Sequence, residues 1–302
     1  MKGMNYLLGP MRLPFLVLPP ACVLLGVSTA VWTQGKVDVL DVLIAFVGAV
    51  ASHISVNALN EYLDFRSGLD FRTRPTPFSG GSGTLPAYPE RANTALLTGL
   101  VTLFLAAAIG IYFFFLWGPA VLPVGVLGIA VILTYTNWIT RYPLLCLIAP
   151  GLGFGTLMVM GTDLVLTGSY SWPAFFASLV PFFLVSDLLL LNQFPDVEAD
   201  QSVGRRHYPI TIGRKASSLI YGAFLLGAYL SIVVGWALGH LPATALLGLL
   251  ALAIAVPTAV GAYRYAEDLE KLAPYMGLNV LLTVATPILT AVGLFIAGGP
   301  PA

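Results

Sequence analysis

The apolar residues of this chain are gathered into runs, and each run is about as long as a bilayer is thick. A helix that crosses the hydrocarbon core needs about 20 largely apolar residues. Nine stretches meet that requirement: 14–33, 39–59, 93–116, 119–136, 143–166, 172–193, 216–238, 242–262 and 276–297. The fold class they predict is all-α, a polytopic membrane bundle of nine transmembrane helices. Composition agrees. Hydrophobic residues make up 58% of the 302 residues and charged residues only 9%, against about 25% charged in a soluble domain. That is too little polar surface to clothe a globule in water. The formal net charge is zero, so nothing points to nucleic acid as a partner. No soluble domain fits between the runs, and residues 1–302 are expected to form a single transmembrane domain. Cys22 and Cys146 lie in apolar stretches and read as small core residues. Lys2 and Arg12 precede the first run, but no small-residue cleavage site follows it, so that run is expected to stay attached as a helix.

Charge distribution tests the helix count independently. With the N-terminus in the cytoplasm and nine alternating helices, thirteen of the fourteen basic residues fall on the cytoplasmic side; only Lys36 does not. A wrong count would scatter them. The expected location is thus a cell membrane, with the N-terminus and the polar loops cytoplasmic and the C-terminus outside. External loops such as Thr167–Ser171 are short and nearly uncharged. Two cytoplasmic loops, roughly 60–92 and 194–215, are long and polar, and long ordered loops tend to carry function.

Both loops begin with an acidic cluster. At the end of the second helix Asn57, Asn60 or Glu61, and Asp64 recur at three- and four-residue steps and share a helical face. Gly68 can end that helix and let Asp70 swing back. At the end of the sixth, Asn192, Asp196 and Asp200 are spaced four apart, Glu198 points away, and Pro195 is expected to kink the helix. Carboxylates four apart on a helix repel, and a divalent cation removes that cost. Mg²⁺ typically takes one or two carboxylates plus substrate phosphates. Two such clusters on one membrane side could each hold a metal and clamp one diphosphate between them. A solvated polar helix end accounts for one such cluster; two with parallel Asn-xxx-Asp cores favour the metal.

Arg72 and Arg74 follow the first cluster, and Arg205, Arg206, Arg214 and Lys215 follow the second. They could bind phosphate oxygens and stabilise a leaving group, or they could simply set topology. The run Ser79-Gly80-Gly81-Ser82-Gly83 could offer backbone N–H groups to a phosphate, or be a flexible turn. Asp187 sits inside the sixth helix, and a carboxylate at membrane depth is functional by default, as a proton acceptor, an acceptor-binding group or a hydrogen-bonded structural one. His53 lies one turn before Asn57. Gly151 and Gly155 form a GxxxG pattern that close helix packing explains.

On these residues the chain resembles the UbiA superfamily of intramembrane prenyltransferases, over nearly its whole length. The resemblance maps the first Asp-rich motif onto Asn60, Asp64 and Asp70. It maps the second onto Asn192, Asp196 and Asp200, followed by Gly204-Arg205-Arg206 and Ile212-Gly213-Arg214. It implies that these six residues hold Mg²⁺, that an isoprenyl diphosphate is ionised there, and that an aromatic acceptor attacks the allylic cation. Asp64 and Asp196 would be central to that chemistry, Asn60, Asn192 and the basic residues would bind the diphosphate, and Tyr135, in Thr134-Tyr135-Thr136-Asn137, would lie near the reacting carbon. Tyr135 also suits an interfacial aromatic belt. The spacing Asn-xxx-Asp-xxxxx-Asp, with Glu61 where many members have Asp and Gly68 before the last Asp, resembles the menaquinone branch, which prenylates 1,4-dihydroxy-2-naphthoate. Arg206-His207-Tyr208-Pro209 departs from that branch. Other acceptors (4-hydroxybenzoate, homogentisate or a glycerol-phosphate lipid) or internal quenching by a UbiA-type terpene cyclase would use the same donor site. A transporter would place its site near the midplane within repeated halves, whereas most acidic residues here gather at one face.

Overall fold

The computed structural model describes residues 8–73, 76 and 78–299, and those residues form helices and turns with no strand among them. Eight helical runs among them are long and apolar enough to cross a membrane. The difference from nine lies in one run, Pro89–Thr134, of 46 residues. Straight, it would be about 69 Å long, more than twice the roughly 30 Å of a bilayer core. It turns at Gly118, whose φ of 64° and ψ of −150° suit only glycine. The nine expected helices are therefore all present: α1 Leu18–Gln34, α2 Val39–Ser67, α3 Ala92–Trp117, α4 Leu122–Thr134, α5 Pro143–Thr167, α6 Trp172–Asn192, α7 Arg214–Ala237, α8 Ala243–Arg264 and α9 Leu269–Ala297.

Each helix packs on the next, and α9 returns to α1, so the bundle closes on itself. The buried helix α6 also touches α1 and α9. The two halves of the ring differ. Between α6, α7, α8 and α9 a continuous core forms around Leu184, Leu191, Tyr221, Ile232 and Leu282. Between α2, α3, α4 and α5 the bundle is hollow.

Local sequence explains the helix ends that matter. Asp38 caps α2, its Oδ1 accepting the Leu40 and Asp41 amides at 2.7 and 3.3 Å. Gly68, with φ 78°, closes α2 in a left-handed cap, and a short turn at Leu69–Phe71 brings Asp70 back, buried. Pro195 does not kink α6. The helix stops at Asn192 and a separate short helix, Val197–Ser202, starts after Asp196. Proline cannot donate the amide that continuation needs, so Asn192, Asp196 and Asp200 do not lie on one helix face.

α5 contains a π-helical stretch, Leu152–Val159, just after Pro150. Such wide turns inside α-helices favour functional sites. Here it follows the donor lost at Pro150. Close packing at the GxxxG pattern is confirmed. A Cβ on Gly151 would lie 2.0 Å from the Phe182 carbonyl oxygen, and one on Gly155 would lie 2.4 Å from the Phe182 amide nitrogen. Gly151→Ala is expected to cost about 1–3 kcal/mol through overpacking. Thermal unfolding in detergent should show a midpoint several degrees lower; an unchanged midpoint would mean that α5 and α6 do not meet this closely.

Candidate active site

The hollow half of the bundle encloses a cavity of about 640 Å³. Asp64 and Ala45, both on α2, line its two ends, and 19 residues of helix set them about 28 Å apart. The lumen thus runs nearly the depth of a bilayer. Its deep walls are apolar and built partly from small residues; a Cβ at Gly125, Gly128 or Gly153 would meet nothing within 4 Å. Ile111 on α3 and Val126 on α4 line it and are also 57% and 62% exposed, so the wall there opens onto the lipid-facing surface.

The polar end gathers both acidic clusters. Asn60, Asp64 and Asp70 from the α2 end, and Asn192, Asp196 and Asp200 from the α6 end, all line the cavity. Arg205 stands between them. Its Nη2 donates to Asp64, and its Nη1 donates to Asp200 Oδ1 at 2.9 Å. His207 Nε2 lies 2.9 Å from the other Asp200 oxygen, and a carboxylate only accepts, so the ring nitrogen donates. Asp196 Oδ2 accepts the Gly80 amide at 3.0 Å. Asn60 Nδ2 donates to Thr136 Oγ1 at 3.1 Å.

Electrostatics at this end are uneven. Burial, followed by the nearby charges of Glu61 and Asp64, pushes the Asp70 carboxyl up to about 7. Burial and then Asp200 push Asp196 up to about 6. Burial raises Asp200 as well, but the His207 hydrogen bond and the Arg205 charge outweigh it and hold Asp200 below the usual carboxylate range. Two buried oxygens, Asp70 Oδ2 and Asn192 Oδ1, have no hydrogen-bond partner. Orphaned oxygens of this kind suit a hard cation. No three Asp, Glu, His or Cys side chains converge on one point among the described residues. Any metal there would draw its remaining ligands from substrate and water, as Mg²⁺ commonly does.

The other expected site residues are placed differently. Tyr135, just past α4, lines the cavity near its polar end. Arg72 donates to the Ser202 hydroxyl at 2.8 Å and joins the two loops on the outside. Arg206 is exposed and does not line the cavity. Arg214 bonds the Phe194 carbonyl at 2.8 Å and Glu198 at 2.9 Å, and Lys215 bonds the Tyr263 carbonyl at 2.6 Å and covers its ring. Arg74 lies outside the described residues. Asp187 is fully buried in the packed half. Its backbone carbonyl faces Asn279 Nδ2 at 3.5 Å, its carboxyl oxygens have no partner, and it does not line the cavity.

Two residues are brought in that the sequence did not single out. Arg12, read only as a topology charge, lines the polar end and donates to Glu61 Oε1 at 3.1 Å. It is the one non-glycine at positive φ, 49°, among the described residues. His207 is buried against Asp200. Neither contact has a local sequence signal, because the one spans 49 residues and the other crosses a turn.

Comparison with known proteins fits this geometry. The sequence model of the UbiA prenyltransferase family matches residues 17–297. The chain belongs to the UbiA prenyltransferase family. Its helices share their fold with solved UbiA homologs. The apo UbiA homolog from Aeropyrum pernix K1 superposes with a TM-score of 0.71 at 17% identity, covering 93% of this chain and 97% of that one. The Archaeoglobus fulgidus UbiA homolog bound to DMAPP and Mg²⁺ superposes at 0.58 with 13% identity, covering 95% and 99%. Among curated UbiA relatives, the 1,4-dihydroxy-2-naphthoate octaprenyltransferase of Bacillus subtilis (strain 168) is 26% identical over 217 residues, 70% of this chain and 67% of the relative. That of Mycobacterium leprae (strain TN) is 28% identical over 245 residues, 78% and 80%.

Proposed function

We propose that this UbiA-family enzyme transfers the isoprenyl group of an isoprenyl diphosphate to 1,4-dihydroxy-2-naphthoate, with Mg²⁺ held between its two acidic motifs. One observation carries the reading. Both motifs line the polar end of a cavity that is otherwise apolar and about as long as the membrane is thick, which suits a molecule with a diphosphate head and a hydrocarbon tail. The names of the curated relatives, 26% and 28% identical to this chain, support the naphthoate acceptor. Asn60, Asp64, Asp70, Asn192, Asp196 and Asp200 would hold the metal, and the orphaned oxygens of Asp70 and Asn192 fit that role. When bound, Mg²⁺ supplies positive charge against the diphosphate as it leaves.

The chain's own residues account for the rest. Arg205 and Arg12 bring guanidinium groups to the lumen beside the carboxylates, where charge-assisted bonds to phosphate oxygens would orient the head. The C1–O bond then breaks with its electron pair on the diphosphate. The Tyr135 ring lines the wall near that end, where an aromatic face stabilises a nearby cation. The apolar wall holds the tail and keeps water from the cation until the aromatic carbon bonds to C1; the ring then regains aromaticity by releasing what that carbon carried, a proton or the carboxyl group as CO2. Arg72, Arg214 and Lys215 act outside the lumen, through the loop contacts they make.

The test uses purified protein with Mg²⁺, geranylgeranyl diphosphate and 1,4-dihydroxy-2-naphthoate. Expected are diphosphate release that stops on chelation and a product with the isoprenyl group carbon-bonded to the naphthalenediol ring, its carboxyl retained or lost as CO2. Release without the product overturns the acceptor; no release with any prenyl chain length overturns the donor site.

The same reading puts the acidic end in the cytoplasm, following the basic residues. Both native cysteines are buried, and Ser202 is exposed. A cysteine introduced at 202 should react with a membrane-impermeant thiol reagent only in inside-out vesicles. Reaction in right-side-out vesicles would reverse the orientation.

A further inference from the structure

Glu61 stands where many family members carry Asp, and its surroundings differ from those of the neighbouring carboxylates. Its side chain is fully buried, yet it does not line the cavity, unlike Asn60 before it and Asp64 after it. Both oxygens are engaged elsewhere. Oε1 accepts the Ser82 amide at 2.7 Å and Arg12 Nε at 3.1 Å, and Oε2 accepts the Ser82 hydroxyl at 2.9 Å. One carboxylate thereby ties three segments: α2, the N-terminal segment before α1, and the Ser79–Gly83 loop.

The loop continues to the second motif. Gly81, at φ 75°, lies so close to the first motif that a Cβ would sit 3.1 Å from Asp70 Oδ1. Gly80 donates its amide to Asp196 at 3.0 Å and accepts from the Thr73 hydroxyl at 3.2 Å. Gly80 and Gly81 both line the lumen. The backbone of this loop therefore forms part of the wall where a diphosphate would lie, and Glu61 holds its far side.

We propose that Glu61 is a positioning residue: it locks Arg12 and the Ser79–Gly83 loop together at the polar end and so places the Gly80 amide on Asp196. The proposal rests on the reading that this end receives the diphosphate. A loop ordered in advance loses less freedom when substrate binds, so Glu61 acts on substrate affinity rather than on bond breaking. Its oxygens are already satisfied by Arg12 and Ser82, which leaves it outside the metal's ligand set.

Two measurements on the full-length protein test this. The first is hydrogen exchange of the peptide containing residues 78–83, in detergent without Mg²⁺. The Ser82 amide is held by Glu61, and in Glu61→Ala its exchange should quicken by about tenfold or more, the loss of a charge-assisted hydrogen bond. Glu61→Gln keeps an oxygen for that amide and should stay near wild type. The second is diphosphate release, where Glu61→Ala should raise KM for the prenyl diphosphate about tenfold and change kcat little, with Glu61→Gln restoring KM. Unchanged loop exchange in Glu61→Ala overturns the proposal. So does a rise in the Mg²⁺ needed for half-maximal release with no change in the loop, which would make Glu61 a metal ligand. If Glu61→Ala does not fold, Glu61→Asp decides, since a side chain one methylene shorter cannot hold both the Ser82 amide and Arg12: faster loop exchange supports the latch, and wild-type exchange overturns it. Failure of the wild-type enzyme to release diphosphate would sink the functional reading, while loop exchange would still decide the role of Glu61.

Discussion

Asp64→Ala and Asp196→Ala are each expected to reduce Mg²⁺-dependent diphosphate release by a factor of about 10³, the scale seen when a preorganised electrostatic group is removed from the reacting charge. Asp64 belongs to the first motif and Asp196 to the second, and they come to one cavity only in the fold. Each removes one of the carboxylates facing the lumen, so neither can substitute for the other. Glu198→Ala provides the control. Glu198 is exposed, pairs with Arg214 at 2.9 Å and does not line the cavity, and its loss should leave kcat/KM within about twofold, as surface ion pairs contribute little. Measured release within tenfold of wild type in Asp64→Ala or Asp196→Ala would show that the acidic ends do not hold the metal.

Arg205→Ala is expected to act mainly on stability, and in a metal-dependent way. In the structure Arg205 neutralises Asp64 and Asp200 together, and all three side chains are largely buried. Removing one partner of a buried ionic cluster leaves charge uncompensated, typically at about 3–5 kcal/mol. In chelator, the thermal midpoint of Arg205→Ala should fall well below wild type. Added Mg²⁺ should then raise it more than it raises wild type, because the cation would no longer compete with a guanidinium for the same carboxylates. A ligand binding only the native state at 100 times its Kd adds about 2.7 kcal/mol. Arg205→Lys keeps a charge but not the fork that reaches two carboxylates, so it should fall between. An equal midpoint for Arg205→Ala and wild type in chelator, or no larger response to Mg²⁺ in the variant, would mean that the guanidinium and the metal do not share ligands.

Much of this was readable in the chain, for identifiable reasons. Hydrophobic run length and the asymmetry of basic residues both follow from the bilayer, an external constraint that every segment meets alone, so all nine helices could be placed. The motifs at Asn60–Asp70 and Asn192–Asp200 were legible because their side chains are too polar for a membrane edge without a partner. The positive φ of Gly68, anticipated from its place after Asp64, does bring Asp70 back. What failed to show was pairing over distance. Six residues in the loops were treated alike as basic candidates, yet the fold sends Arg205 into the lumen and Arg72, Arg214 and Lys215 to carbonyls and hydroxyls outside it, while Arg12, read only as a topology charge, also reaches the lumen. Periodicity carries no information on that choice, since Arg12, Arg72 and Arg205 are directed by partners 49, 130 and 141 residues away. Asp187 shows the converse. Its depth marked it as functional, but α6 turns it toward the packed half of the ring, beside Asn279 and away from the lumen.

The open wall at Ile111 and Val126 bears on how the enzyme must be assayed. A donor whose tail reaches the lumen sideways from the bilayer is drawn from a two-dimensional pool, and its concentration is a mole fraction in lipid or detergent, not a molarity. Adding micelles at fixed donor would then slow the reaction by surface dilution, without any inhibitor present. Apparent KM values would be comparable only between preparations with the same detergent-to-donor ratio.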